Sequence, residues 1–384
     1  MNLKRVAAIA SKEWREILRD RLFFSLAFVV PALLMVLFGY GLSLDVENIP
    51  FAVVDQDRSA ASRDYAYRFI DSRYFSFRGY AANQRDAERA LAAGDVRVVL
   101  VIPPRFGQRL AQGREAGIQT LVDGTFPSRA MTTKGYVTAI NAAFSLASVT
   151  QAVSRVTGMP PDDVAAQLTP IALETRYLYN QSVTSIWSLA PKLIMVILML
   201  SPPFLTALGV VREKENGSIF NIYASNVSRG EFLAGKLLPY VAISSVNILV
   251  LWLLATLLYG VPFKGSLLFF LPATLVYVLC TTGIGLLVSV LVRTQVAAMI
   301  VTMVATMIPA VLYSGLIIPI VSLGPGARQV AELMPAMYYT DIVVGCFLKG
   351  VGLQSLWRPL LVLSLYACLL FAVGYALFSK RPKT

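Results

Sequence analysis

The stretch LFFSLAFVVPALLMVLFGYGLSL, residues 22–44, holds no charged side chain, and the rest of the chain is read outward from it. At a rise of about 1.5 Å per residue, roughly 20 such residues cross a hydrocarbon core of ~30 Å. Five further uncharged runs are long enough to do the same: 193–211, 237–263, 265–292, 294–327 and 359–379. Surface helices of a soluble fold carry a polar face, and these runs have none. Residues 45–187, between the first two runs, have the composition of a water-soluble domain. The expected architecture is an α-helical polytopic membrane protein of six spans, with a small extracytoplasmic α/β domain inserted after the first.

Orientation follows from lysine and arginine near the ends of the runs. Lys4, Arg5, Lys12, Arg15, Arg19 and Arg21 precede the first; Arg212, Lys214, Arg229 and Lys236 lie between the second and third; Arg293 follows the fourth; Lys380, Arg381 and Lys383 follow the last. The opposite short loops hold only Lys264, Arg328, Lys349 and Arg358. Both termini, including the tail 380–384, are therefore expected in the cytoplasm, and 45–187 outside. The net charge of +12 comes partly from these clusters, which suit anionic lipid headgroups better than nucleic acid. Residues 22–44 read as an uncleaved anchor, because the run is about twice a signal-peptide core and no small-x-small site follows. Ahead of it, Val6, Ile9, Ala10, Trp14, Ile17 and Leu18 recur at helical spacing, with Lys12, Arg15, Glu16 and Arg19 on the other side. Residues 1–21 thus read as an amphipathic helix on the inner leaflet.

Cys280, Cys346 and Cys368 fall in or beside apolar runs, and the chain has no histidine. No disulfide framework, no metal site and no His-based catalytic set is expected. In the insert, strands are predicted over 49–54, 74–80, 96–102 and 118–123, and helices over 59–70, 85–93 and 105–112, a small α/β alternation. One long helix is predicted over 128–156, interrupted by Pro160 and Pro161. Asp55, Asp57 and Asp123 fall at strand ends, where turn and cap duty is the expected role rather than chemistry.

Gly230-Glu231-Phe232-Leu233-Ala234-Gly235-Lys236 has the glycines and lysine of a phosphate-binding loop. The next residue is Leu237, where a hydroxyl must meet magnesium, so ATP hydrolysis by this chain is not expected. The same region supports another reading. Arg212-Glu213-Lys214-Glu215-Asn216-Gly217 leads into a short helix carrying Ile219, Phe220, Ile222 and Tyr223, and Ser228-Arg229-Gly230-Glu231 matches a capping box. Residues 212–236 are expected to form two short helices around a break at Asn226-Val227, a rigid surface for docking a cytosolic partner.

This loop resembles the signature of the ABC type-2 transporter permease family, matched by Arg212, Glu213, Glu215, Gly217, Ser228, Arg229, Glu231, Gly235 and Lys236. The family usually has Pro where Asn226 stands. Arg176-Tyr177-Leu178-Tyr179-Asn180, Pro191, Ser314-Gly315-Leu316-Ile317-Ile318-Pro319, Met334-Pro335, Tyr338-Tyr339 and Phe347-Leu348-Lys349-Gly350 extend the resemblance over nearly the whole chain. The insert is similar to that of the drug-export branch. The resemblance implies a half-transporter that pairs with a second permease copy or paralogue and rests on a cytosolic ABC ATPase subunit, which holds ATP and magnesium. It further implies ATPase coupling through Arg212, Glu213, Glu215, Gly217, Ser228, Arg229, Glu231 and Lys236, and it is compatible with a periplasmic adaptor and a lipophilic or amphipathic cargo. Arg15 and Arg19 of the amphipathic helix are expected to pair with the carboxylates of Glu213 and its neighbours as surface pairs.

Residues 336–348 are apolar apart from Asp341 and too short to cross, so a re-entrant helix is expected, starting at Pro335 and carrying Tyr338 and a water-accessible Asp341. Ser244, Ser245, Asn247, Thr281 and Thr282 either line a substrate path or bond across helices. Lys192 is expected to snorkel to the headgroups. The competing classes are an ion-coupled secondary transporter and a membrane-anchored sensor. The first expects a buried acid or Lys–carboxylate relay, which the runs do not display.

Overall fold

The computed structural model describes residues 2–42, 45–169, 171, 174–218 and 226–378. The chain divides into two compact units, Leu44–Thr175 and the combination of Met1–Ser43 with Arg176–Thr384. Residues 176–187, read from sequence as part of the insert, thus group with the helical unit.

The helical unit begins with α1 (Leu3–Arg19) and α2 (Arg21–Gly41). Asp20 separates them in extended conformation, and its carboxylate accepts from the amides of Leu22 and Phe23 to cap α2. Of the six apolar positions on α1, Val6 and Ile17 are buried, while Trp14 and Leu18 remain exposed. The inward stripe instead includes Glu13.

The other unit contains β1 (Ile49–Asp55), α3 (Ala60–Ile70), β2 (Phe75–Tyr80), α4 (Gln84–Ala93), β3 (Val98–Ile102), α5 (Phe106–Ala111), β4 (Gln119–Val122), α6 (Pro127–Thr157) and α7 (Pro161–Leu168). The sheet order is β2-β1-β3-β4; β1 is parallel to β2 and β3, and β4 is antiparallel to β3. Because side chains alternate along a strand, β1 and β3 bury Phe51, Val53 and Leu100 on one face, and Ala52, Val54 and Val99 on the other. The aspartates do cap and turn work. Asp55 accepts from the amides of Asp57 and Arg58 and from the Ser62 hydroxyl, and Asp57 from the Gly107 amide. The Thr125 hydroxyl and amide, then Arg97, hold the Asp123 carboxyl down to about 2. The proline pair starts α7 at Pro161 after Gly158 has ended α6 in left-handed geometry.

The helical unit resumes with α8 (Ser185–Glu215), α9 (Arg229–Leu258), α10 (Leu267–Leu291), α11 (Gln295–Tyr313), α12 (Pro325–Glu332), α13 (Pro335–Val344, prolonged by a π turn Gly345–Lys349) and α14 (Leu353–Leu377). Helix α8 is the core: 89% of its most apolar segment is buried, against 22% in α2. A helix apolar all round belongs at the centre of a bundle. Gly285 of α10 lets that helix approach α8, for a Cβ there would lie 2.7 Å from the Pro203 Cα. Gly285→Val is therefore expected to destabilise the bundle by about 1–3 kcal/mol. A thermal unfolding midpoint in detergent equal to wild type would contradict this packing.

Several boundaries differ from the sequence reading. The run 294–327 is not one helix: α11 stops at Tyr313, Gly315 takes φ +80°, and the remainder forms a 3-10 turn Ile320–Ser322 and α12. The Lys192 ammonium donates to the Gly315 carbonyl at 3.0 Å, so it satisfies that broken helix end instead of snorkelling. The last helix starts earlier than expected, at Leu353. Among the described residues seven helices, not six, are long and apolar enough to cross a bilayer: α2, α6, α8, α9, α10, α11 and α14. Helix α6 is the least apolar, with a mean hydropathy of 1.2 against at least 2.1 for the others. Its Tyr136, Val137, Ile140 and Phe144 pack on the sheet core, and Tyr136 stacks on Tyr74 with ring centres 4.0 Å apart.

Candidate functional site

Helix α8 ends in four consecutive charged residues, and each reaches a different element. Arg212 donates to Asp20 at 2.7 Å, at the head of α2, and its guanidinium lies 5.2 Å over the Phe23 ring. Glu213 accepts from Lys12 of α1 at 3.0 Å and from Lys236 of α9 at 3.1 Å. Lys214 donates to the Ser289 carbonyl in the last turn of α10, and Glu215 accepts from the backbone and side chain of Gln295 at the start of α11 at 2.9 and 3.0 Å. A cation at a helix C-terminus and an anion at an N-terminus are the favoured placements. Asn216 then closes α8, with Gly217 left-handed at φ +72°.

The centre of this hub is buried. Lys236 is 1% exposed, Glu13 3% and Glu213 6%; Lys236 donates to Glu13 at 2.5 Å, and the Tyr240 hydroxyl donates to the same carboxylate. Burial pushes the Glu13 carboxyl up, against the pull of the Lys236 ammonium. Gly209 of α8 leaves room for the Tyr240 hydroxyl, and Gly235 of α9 lets α1 pass: a Cβ on Gly235 would meet Ile9 at 2.8 Å and the Val6 carbonyl at 2.9 Å. Ion pairs this deep stand only when their remaining hydrogen-bonding capacity is also met.

The capping box forms as the sequence requires. Ser228 accepts from the Glu231 amide at 3.2 Å, and Glu231 accepts from the Ser228 amide at 2.9 Å. Glu231 also accepts from the Asn2 amide at 2.6 Å, and Arg5 reaches the Asn226 carbonyl at 2.6 Å, so the start of α9 is tied to the start of α1. The expected second short helix is the opening of α9, which runs unbroken into the bundle. The expected first short helix, with Ile219, Phe220, Ile222 and Tyr223, lies outside the described residues, as does the tail 380–384. Arg229 is exposed. Lys236, the lysine of the phosphate-loop look-alike, faces Glu13 and Glu213 and is not free for a phosphate.

Three expectations are corrected. Lys12, not Arg15 or Arg19, pairs α1 with Glu213, because residue 12 lies on the edge of the buried stripe that holds Glu13. The pair is not a surface pair. A buried Lys–carboxylate set does exist; it sits at the ends of α8 and α9, where sequence runs chosen for lack of charge exclude it. Glu13 was legible only as an acid interrupting the apolar stripe of α1 between Ile9 and Ile17. Glu13, Glu16 and Glu213 have oxygens within 4.8 Å of one another, a spacing that a metal could use, but Lys12 and Lys236 already pair with all three and leave one negative charge in excess.

Of the residues offered as a substrate path, Ser244, Asn247, Thr281 and Thr282 are buried. Ser244 and Thr281 donate to carbonyls of their own helices at 2.8 and 3.0 Å, and Ser245, half-buried, does the same. Asn247 bonds across helices, to the Ala27 carbonyl of α2 at 2.7 Å, a group left without its helical donor because residue 31 is Pro31. The Thr282 hydroxyl is buried without a partner among the described residues. In α13, Pro335 opens the helix, the Tyr338 hydroxyl donates to the Glu332 carbonyl at 2.8 Å, and Asp341 is exposed.

Long apolar helices bound at their charged ends define a multi-pass membrane protein. Residues 21–376 match the family described as ABC-2 family transporter protein, and the chain belongs to that family. Among curated relatives, the probable multidrug ABC transporter permease YbhS of Escherichia coli (strain K12) is 30% identical over 91% of this chain and 90% of its own. The probable multidrug ABC transporter permease YbhR of the same organism is 24% identical over 98% and 99%, and the linearmycin resistance permease protein LnrN of Bacillus subtilis (strain 168) is 23% identical over 97% and 98%. The chain is a permease subunit of an ABC exporter, as its sequence resemblance implied.

Proposed function

We propose that this permease works in the bacterial inner membrane with a separate cytosolic ATPase and a second permease, moving a lipophilic or amphipathic cargo such as a drug out of the cytoplasm or membrane. The observation that carries the coupling reading is the end of α8, where adjacent residues bind α1, α2, α9, α10 and α11. A push delivered there by a nucleotide-driven partner moves every one of those helices together. The names of the relatives support the drug-like cargo, and ATP with magnesium belongs to the partner chain. Affinity capture of the tagged chain from native membranes is expected to bring down an ABC ATPase in stoichiometric amount; a permease active in reconstituted vesicles with no such partner would end this reading.

In the topology that accompanies it, α2, α8, α9, α10, α11 and α14 span, α6 stays with the α/β unit outside, and α13 is re-entrant from that side. Ser59→Cys, introduced without the native cysteines, is expected to react with an impermeant thiol reagent in cells with a permeabilised outer membrane, while Ser218→Cys stays silent. The reverse pattern refutes the orientation. A reporter fused after Gly350 is expected to read as periplasmic, since the continuous helical stretch Pro335–Lys349 covers at most about 22 Å of a ~30 Å core; a cytoplasmic reading would make α13 a span.

A further inference from the structure

Two adjoining clefts lie at the charge hub. One, of about 510 Å³, is lined by Lys12, Arg15, Glu16, Arg19, Asp20 and Arg212. The other, of about 440 Å³, shares Lys12, Glu16 and Arg212 and reaches inward to Glu13, Glu213 and Gly209. The outer wall is predominantly cationic and the inner end is acidic. At that inner end Glu213 Oε2 is buried and has no hydrogen-bond partner among the described residues, while Oε1 takes both lysines. A buried carboxylate oxygen left without a donor is costly, so a ligand that brings an N–H donor to this oxygen gains most there. Trp14, Leu18, Leu22 and Phe24 are exposed along the same stretch of α1 and α2.

We infer that this cleft binds the headgroup of an inner-leaflet aminophospholipid, with the primary ammonium donating to Glu213 Oε2 and the phosphate held by Arg15, Arg19 and Arg212. The charge order requires a zwitterion: an anion alone meets Glu13, Glu16 and Glu213 at the inner end, and a cation alone meets the arginines. The unmet acceptor requires N–H donors, which phosphatidylethanolamine has and phosphatidylcholine lacks. Exposed apolar side chains beside the cleft give the acyl chains a place to lie. Arg212 is held in position for the phosphate by Asp20 and the Phe23 ring.

The inference rests on α1 lying at the membrane surface, not on the ATPase, so the test uses the purified full-length permease alone in detergent. Phosphatidylethanolamine, phosphatidylcholine and phosphatidylglycerol of identical acyl chains are titrated, and retained lipid is counted by native mass spectrometry. Phosphatidylethanolamine is expected to bind about tenfold more tightly than either, the scale of one charge-assisted bond. Glu213→Gln is expected to erase the preference over phosphatidylcholine. Because Glu213→Gln disturbs a buried pair, Arg15→Gln/Arg19→Gln, at exposed positions, is the second variant, expected to weaken phosphatidylethanolamine by at least several-fold. Equal binding of the ethanolamine and choline lipids to wild type overturns the proposal. So does a folded Arg15→Gln/Arg19→Gln variant with wild-type affinity. Full competition by water-soluble glycerophosphoethanolamine at equal concentration overturns the lipid and assigns a soluble zwitterion.

Discussion

Lys236→Met is expected to lower the stability of the purified permease by about 3–5 kcal/mol, the cost of stranding buried carboxylates without their cation. Glu13 loses its only described ammonium within hydrogen-bond reach, and Glu213 keeps Lys12 alone. Methionine fills a similar volume, so cavity formation adds little. The double variant Glu13→Gln/Lys236→Met removes the stranded charge as well as the cation, and it is expected to lose clearly less than the sum of its two single variants. Thermal unfolding of all four proteins in one detergent measures this; strictly additive losses would show that Glu13 and Lys236 do not interact.

Glu213→Ala is expected to act on function more than on folding. Lys236 still holds Glu13 at 2.5 Å, and the Arg212, Lys214 and Glu215 contacts are untouched. What is lost is the direct link from α8 to both α1 and α9. Expression and assembly with the ATPase should stay near wild type, while cargo-stimulated ATPase activity and export fall on the order of tenfold or more, equivalent to about 1.4 kcal/mol of coupling. Full stimulated turnover in Glu213→Ala would reduce this residue to a packing role.

Apolar length made the membrane helices legible, and strand-helix alternation exposed the α/β unit, because both depend on local pattern. Pattern also found the Ser228–Glu231 capping box, whose members are three residues apart. It did not find the hub's pairing. Lys12 and Glu213, like Glu13 and Lys236, are more than two hundred residues apart in sequence, and the one local sign at Glu13, its place on the apolar stripe between Ile9 and Ile17, does not name its partner. Lys192 was misread for the same reason, since the carbonyl it binds exists only because α11 breaks at Gly315. The run 294–327 is uncharged throughout, and charge alone carries no information about such a break. Gly315, Pro319, Gly324 and Pro325 mark it, and they lie within an otherwise span-like composition.

Transport energised in inside-out vesicles tests the account's central claim most directly. With permease and ATPase reconstituted together, uptake of a fluorescent amphipathic cargo is predicted to require hydrolysable ATP, to stop with vanadate, and to be unaffected by a protonophore. Uptake that proceeds without ATP under an imposed proton gradient, and collapses with the protonophore, would make the buried Glu13–Lys236–Glu213 set a proton relay and contradict the account.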